Sequence, residues 1–153
     1  MHNRCNQSHA GFSLIEVMVT LVVLSVGMIG IASLYGQGLG ASRTALYRTV
    51  AVNLAADMAD RIRVNRLGAA SFQTPANHNC DPEGGGGVNC TPQDMAQHDR
   101  FMWSREVTRR LPNGVGTVTV AVGAPSTYTI QVSWAETGLG VITEQMVVQV
   151  PNF

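Results

Sequence analysis

The sequence predicts an α+β chain: a long N-terminal helix whose first half can cross a membrane, packed in its second half on a small head with a second helix and an antiparallel β-sheet. Three observations carry this prediction. No charged side chain occurs from Val17 to Ser42. An apolar i+4 row then runs from Leu46 to Ile62, and three segments of alternating polarity follow from Thr117 onward.

Composition narrows the class. Of 153 residues, 45% are hydrophobic and 13% charged, with ten Arg and no Lys against ten Asp and Glu. A net charge of zero argues against binding nucleic acid over the whole surface, and the apolar content against a disordered chain. The charges are unevenly placed. Only Arg4 and Glu16 precede Arg43, so 18 of the 20 charges fall in the last 111 residues.

The uncharged segment begins the first element. Val17 to Leu34 reads VMVTLVVLSVGMIGIASL, close to the ~20 residues that cross a ~30 Å hydrocarbon core. A secretory signal peptide has a shorter apolar core and a small-residue cleavage site behind it. Here the core is longer, Leu39-Gly40-Ala41 is a poor site, and Glu16 stands at the apolar entrance. A lipoprotein anchor at Cys5 lacks an apolar run before it. Gly27, Gly30, Gly36, Gly38 and Gly40 each weaken a helix by up to ~1 kcal/mol, yet in lipid small residues let helices approach closely. Local melting of this stretch is one expectation, tolerated glycine the other.

Downstream the helix becomes amphipathic. Leu46, Val50, Leu54, Met58 and Ile62 recur at i+4 beside Ala51, Ala55 and Ala59, and the charged residues lie mainly elsewhere. One helix from Phe12 to about Arg66, with Gly68 as C-cap, would span roughly 80 Å. Residues 68–89 read as an irregular loop with Pro75, Pro82 and the run Gly84 to Gly87. That run lacks the Gly-Lys-Ser/Thr ending of a phosphate loop.

Thr91-Pro92-Gln93-Asp94 then supplies an N-cap, a proline at the first helical position and an acid at the third. Met95, Met102, Trp103, Val107 and Leu111 form the expected apolar face, with a stop at Pro112-Asn113-Gly114. Asp99 lies near that face and would need a hydrogen-bond partner if buried. No nucleophile or base accompanies it, so the residues suggest no enzyme and no cofactor. The last elements are three strands around Val118, Val120 and Val122, then Tyr128, Ile130, Val132 and Trp134, then Met146, Val148 and Val150. Turns at Gly123-Ala124-Pro125 and at 136–140 make them a meander that needs a helical cover.

The residues at the apolar entrance are the most specific signal. A polar leader, MHNRCNQSHA, ends at Gly11 and is followed by Phe12-Ser13-Leu14-Ile15-Glu16-Val17. This resembles the class III signal of type IV prepilins and pseudopilins. The resemblance implies cleavage between Gly11 and Phe12 by a prepilin peptidase, N-methylation of Phe12, and a mature chain of 142 residues. It also implies that Glu16 pairs with the N-terminal amine of a neighbouring subunit. The charge physics agrees independently, because an acid inside a membrane span costs a few kcal/mol unless paired. Further along, Asn53-Leu54-Ala55 with Asp57 to Arg63 and Asn65, and the order Cys90-Thr91-Pro92, Met95-Ala96, Asp99, Trp103, Leu111 to Gly114, resemble PilV-type minor pilins.

The resemblance implies four regions: a leader at 1–11, a transmembrane and filament-core helix at 12–42, its amphipathic continuation at 43–67, and a periplasmic head at 68–153. It places the chain in the inner membrane as a single-pass protein that later joins the pilus. Its implied partners are other minor pilins, the major pilin, the inner-membrane assembly platform and a tip adhesin. The implied role is to prime assembly or to form part of the tip complex, supporting adhesion or twitching motility. Two alternatives stay open: a minor pseudopilin of type II secretion, and a binding module for DNA uptake or adhesion in which Arg61, Arg63 and Arg66 touch the ligand. With Cys5 lost in the leader, Cys80 and Cys90 remain as an even pair in an extracytoplasmic head, which reads as a disulfide. A metal site from His78, Cys80, Cys90 and His98 lacks the compact spacing of zinc ligands.

Overall fold

The computed structural model describes residues 11–80 and 89–151. The leader residues 1–10 with Cys5, and the run Gly84 to Gly87, lie outside the described residues. The chain divides into two units, residues 1–42 and 43–153. Helix α1 (Leu14–Val64) supplies the described helix of the first and opens the second.

In the first unit α1 is helical straight through Gly27 to Gly40, with its side chains exposed. Two hydroxyls within the apolar run bond their own helix. Thr20 Oγ1 donates to the Val17 carbonyl at 2.8 Å, and Ser25 Oγ donates to that of Leu21 at 2.8 Å. This removes their demand for water, as a bilayer requires.

The second unit holds the core. After α1 come a 3-10 helix (Arg66–Gln73), helix α2 (Pro92–Arg110) and strands β1 (Val115–Ala121), β2 (Ser126–Glu136) and β3 (Gly140–Val150). The strands form an antiparallel sheet in the order β1-β2-β3, with Val118 opposite Ile130 and Ile130 opposite Met146. Val118, Tyr128, Ile130, Val132, Trp134, Val148 and Val150 point inward and join Ala51, Leu54, Ala55, Met58, Ala59 and Ile62 of α1 with Trp103 and Val107 of α2. The outward positions alternate with these and carry Thr117, Thr119, Thr129, Gln131, Ser133, Thr143, Gln145 and Gln149, together with the exposed Val115, Val141 and Val147. No charged residue occurs among them. Val122, expected in the first strand, lies just past β1 and is exposed.

Several expectations need correction. Leu46 is 60% exposed, because a strict i+4 row drifts by about 40° per step around a helix with 3.6 residues per turn. Tyr47 and Ala51 occupy that part of the buried face instead. Met102 is also exposed, and α2 buries Ala96, Trp103 and Val107 beside His98 and Arg100.

Helix α1 stops at Val64, and 66–73 is the 3-10 helix, so the loop reading of that stretch was too long. Asn65 turns the chain: its side-chain oxygen accepts the Gly68 N–H at 3.2 Å, and its amide donates to the Pro92 carbonyl at 2.7 Å. Gly68 is therefore a close-approach residue and not a C-cap. A Cβ there would stand 2.6 Å from Cβ of Ala96. The 3-10 helix also drives Phe72 into the core, edge-on to Tyr128 at 6.5 Å between centroids.

The start of α2 follows its sequence signal. The Asp94 N–H donates to Thr91 Oγ1 at 3.2 Å, and the Thr91 N–H donates to Asp94 Oδ2 at 3.2 Å, a reciprocal capping box with Pro92 at the first position. The Thr91 hydroxyl and backbone bonds, with the nearby His78, hold the Asp94 carboxyl below its ordinary value of 3.8. A depressed folded-state value means this contribution is complete above 3.8 and disappears as pH falls through the folded value. Thr91→Ala is expected to lower stability by about 1 kcal/mol at neutral pH. It should also shrink the loss of stability on the acid side, both read from urea midpoints across a pH series. An unchanged acid limb would remove Asp94 from the account.

Candidate functional site

Two regions carry the sequence-predicted residues. At the first, Gly11 and Phe12 precede α1, and Phe12 is 82% exposed. The Ser13 carbonyl accepts the N–H groups of Glu16 at 3.0 Å and Val17 at 3.3 Å, which opens the helix. Glu16 thus sits in the first turn, where unpaired backbone N–H groups favour an anion. Everything after it to Ser42 is uncharged. The local chemistry is one exposed carboxylate at the polar end of a helix that is long and apolar enough to cross a membrane.

The second region is the clamp between α1 and α2. Trp103 is buried, and its indole Nε1 donates to the Leu54 carbonyl of α1 at 2.8 Å. Beside it, Arg61 donates Nη1 to Asp99 Oδ1 at 2.8 Å and Nε to Asp57 Oδ2 at 3.1 Å. Asp99, the acid on the apolar side of α2, has Arg61 as its partner. Arg63 pairs with Asp60 at 2.6 Å, and Arg66 Nε donates to the Arg63 carbonyl at 3.2 Å. The three candidate arginines therefore share their surface with three carboxylates. A groove of about 440 Å³ opens here, lined by Asn53, Asp57, Arg61, Met102, Glu106 and Arg110. Its cationic and anionic lining is mixed, and bonds from Arg109 and Arg110 hold the Glu106 carboxyl below its ordinary value.

Cys80 and Cys90 are joined as a disulfide. Its arm is tied to α2: the Ala76 N–H donates to the Gln97 carbonyl at 3.1 Å, and His78 Nε2 lies 2.6 Å from Gln97 Oε1. In the chain-entropy picture a ring this short contributes somewhat less than about 3 kcal/mol. Among the described residues, no three His, Cys, Asp or Glu side chains gather as metal ligands.

Sequence reasoning missed Arg100. It is buried on α2, donates Nη2 to the Gly116 carbonyl at 2.5 Å, and lies 4.9 Å over the Trp103 ring. Burial lowers its proton affinity below that of an ordinary guanidinium. The signal was its spacing, four residues after Ala96 and three before Trp103, which sets it on the core face despite its charge.

Comparison with known families matches both regions. The prokaryotic N-terminal methylation motif covers residues 6–32, across the Gly11-Phe12 junction and Glu16. The family model for type IV pilin Tt1218 matches residues 34–101, from α1 into α2. Both matches support a type IV pilin. No curated protein and no solved structure matches it. That family implies a membrane-anchored subunit that assembles with other pilins and the pilus machinery. The long apolar helix, the second helix and the three-stranded sheet agree with that fold.

Proposed function

We propose that this pilin is a minor, PilV-type subunit that primes pilus assembly or forms part of the tip complex. The observation that supports it most is the junction of a leader-like segment, Phe12 and Glu16 with an apolar helix leading to a disulfide-closed head. In this reading, processing falls between Gly11 and Phe12, 12–42 spans the inner membrane and then the filament core, 43–67 continues the helix into the head, and 68–153 completes the periplasmic head. Its partners are other minor pilins, the major pilin, the prepilin peptidase, the assembly platform and a tip adhesin. It acts by packing and not by catalysis, and Glu16 accepts the neighbouring subunit's amine. The ion pairs of Arg61 and Arg63 favour a subunit-contact surface over DNA binding at that cluster.

The deciding measurement is the N-terminal peptide mass of the chain isolated from cells. A chain starting with methylated Phe12 is expected, and an intact Met1 start would sink the reading. Gene deletion then separates the two assemblies. Loss of surface pili with enzyme secretion intact supports a pilus subunit, and the reverse supports a pseudopilin.

A further inference from the structure

The second half of α2 carries an excess of positive charge. From Arg100 to Arg110 there are four arginines and a single acid, Glu106. That acid is shared: Arg109 donates Nη2 to its Oε2 at 2.5 Å, and Arg110 donates Nε to its Oε1. Arg105 is exposed and has no hydrogen-bond or ion-pair partner among the described residues, only the Phe101 ring 5.8 Å away. Arg100, buried one turn before Ser104, keeps Nε and Nη1 unbonded. The negative end of a helix favours cations in its last turn, which accounts for Arg109 and Arg110. It does not account for Arg100 or Arg105.

These cations border a groove. Ser104, Arg105, Thr108 and Arg109 line it from α2, and the stretch Gly114 to Gly116 from the start of β1, around about 400 Å³. Among the described residues no carboxylate lines it. Its two hydroxyl protons are already used within the chain: Ser104 Oγ donates to the Phe101 carbonyl at 2.7 Å, and Thr108 Oγ1 to that of Gly114 at 3.0 Å. The donors left for a ligand are those of the guanidiniums. Arg105 and Arg109 stand one turn apart, ~5 to 6 Å between Cβ atoms, and each planar fork matches a carboxylate. Arg100 adds a third positive charge behind the wall, since its Nη2 donates to the Gly116 carbonyl. Val115, 56% exposed, gives the groove an apolar side.

The size of the patch selects the ligand. From Arg43 onward the chain carries nine arginines and nine acids, so the head is neutral as a whole. A protein that tracks a nucleic-acid backbone commonly neutralises ~6 to 10 phosphates, far more than one short groove on a neutral head can meet. Two arginines match one or two carboxylates. We propose that this groove takes an acidic segment of a neighbouring pilin head, with carboxylates on Arg105 and Arg109 and an apolar side chain against Val115. The acidic chemistry stands on the groove, whereas the pilin partner rests on the assembly role proposed above. Such a contact lets the head choose its neighbour, because a basic surface in the same place is repelled.

The test uses the isotope-labelled full chain in nonionic detergent, titrated with the capped peptide Gly-Glu-Val-Glu-Gly. The amide signals of Gly114 and Gly116, which line the groove, should shift saturably and lose most of that shift at high salt. Arg105→Gln is expected to weaken binding about threefold, and Arg105→Gln with Arg109→Gln about tenfold, as exposed arginine-carboxylate pairs do. Both arginines are exposed, so the fold survives the change. Glu106→Gln removes the competing acid and should tighten binding about twofold. No shift at Gly114 and Gly116, or binding unchanged by the double substitution, overturns the site. Tighter binding of a short oligothymidylate than of the peptide overturns the choice of an acidic segment. In cells, Arg105→Glu with Arg109→Glu should cut the chain's share of sheared pili several-fold at equal cellular levels. An unchanged share overturns the pilin partner and leaves the acidic groove standing. A wild-type chain absent from pili overturns the pilin reading and the pilin partner with it, and the peptide titration then decides the groove on its own.

Discussion

Trp103→Ala is expected to destabilise the head by about 3 to 5 kcal/mol. Three losses coincide. A fully buried ring disappears from the centre of the core, the Leu54 carbonyl loses the indole N–H at 2.8 Å, and Arg100 loses the aromatic face 4.9 Å below it. Arg100 then stays buried with less to compensate it. Urea unfolding of the full chain in detergent, followed through Trp134, measures the change. Trp103→Phe should recover most of the packing and leave a deficit of about 1 kcal/mol for the missing hydrogen bond. Gly116→Ala checks the same contact from the sheet side, since its new Cβ would stand 2.5 Å from Cη2 of Trp103. A loss of about 1 to 3 kcal/mol is expected from that overlap. Wild-type midpoints for both Trp103→Ala and Gly116→Ala would show that the helix-sheet contact is not central.

Glu16→Gln should leave processing intact and reduce the chain's share of sheared pili by about tenfold, which corresponds to ~1.4 kcal/mol. The carboxylate precedes an uncharged run of 26 residues and has no described ion-pair partner within its own subunit. A charge so placed is stabilised when an amine from another subunit meets it, and the neutral amide gives up that attraction while keeping the shape. Glu16→Asp retains the charge one methylene short and should fall between the two. Equal incorporation of wild type and Glu16→Gln, at equal cellular levels and equal processing, would refute the pairing role.

Much of this fold is legible because its signals are local. The Thr91, Pro92 and Asp94 pattern marks the start of α2 through bonds made within four residues. The three strands are visible because one face of the sheet is buried and the other solvated, which imposes strict alternation. The 3-10 helix was not visible. Phe72 is a lone large apolar residue among Gly, Ala and Ser, and its burial depends on Asn65 reaching Pro92, 27 residues away. Arg100 was hidden for a related reason, since its partner Gly116 belongs to a different element. At the site, Gly11, Phe12 and Glu16 stand out from pattern alone, within the matched methylation motif, but the status of Arg61 does not. A cluster of arginines reads as a basic patch until the fold brings Asp99 across from α2.

The outer face of the sheet carries threonines, glutamines, a serine and the exposed Val115, Val141 and Val147, with no charged group among them. Thr117, Gln131 and Gln145 are bonded across all three strands, with Gln131 donating to Gln145 at 3.1 Å. Nothing on that face titrates near neutrality, and nothing there depends on counterions. Contacts it forms would therefore be insensitive to acidity and ionic strength.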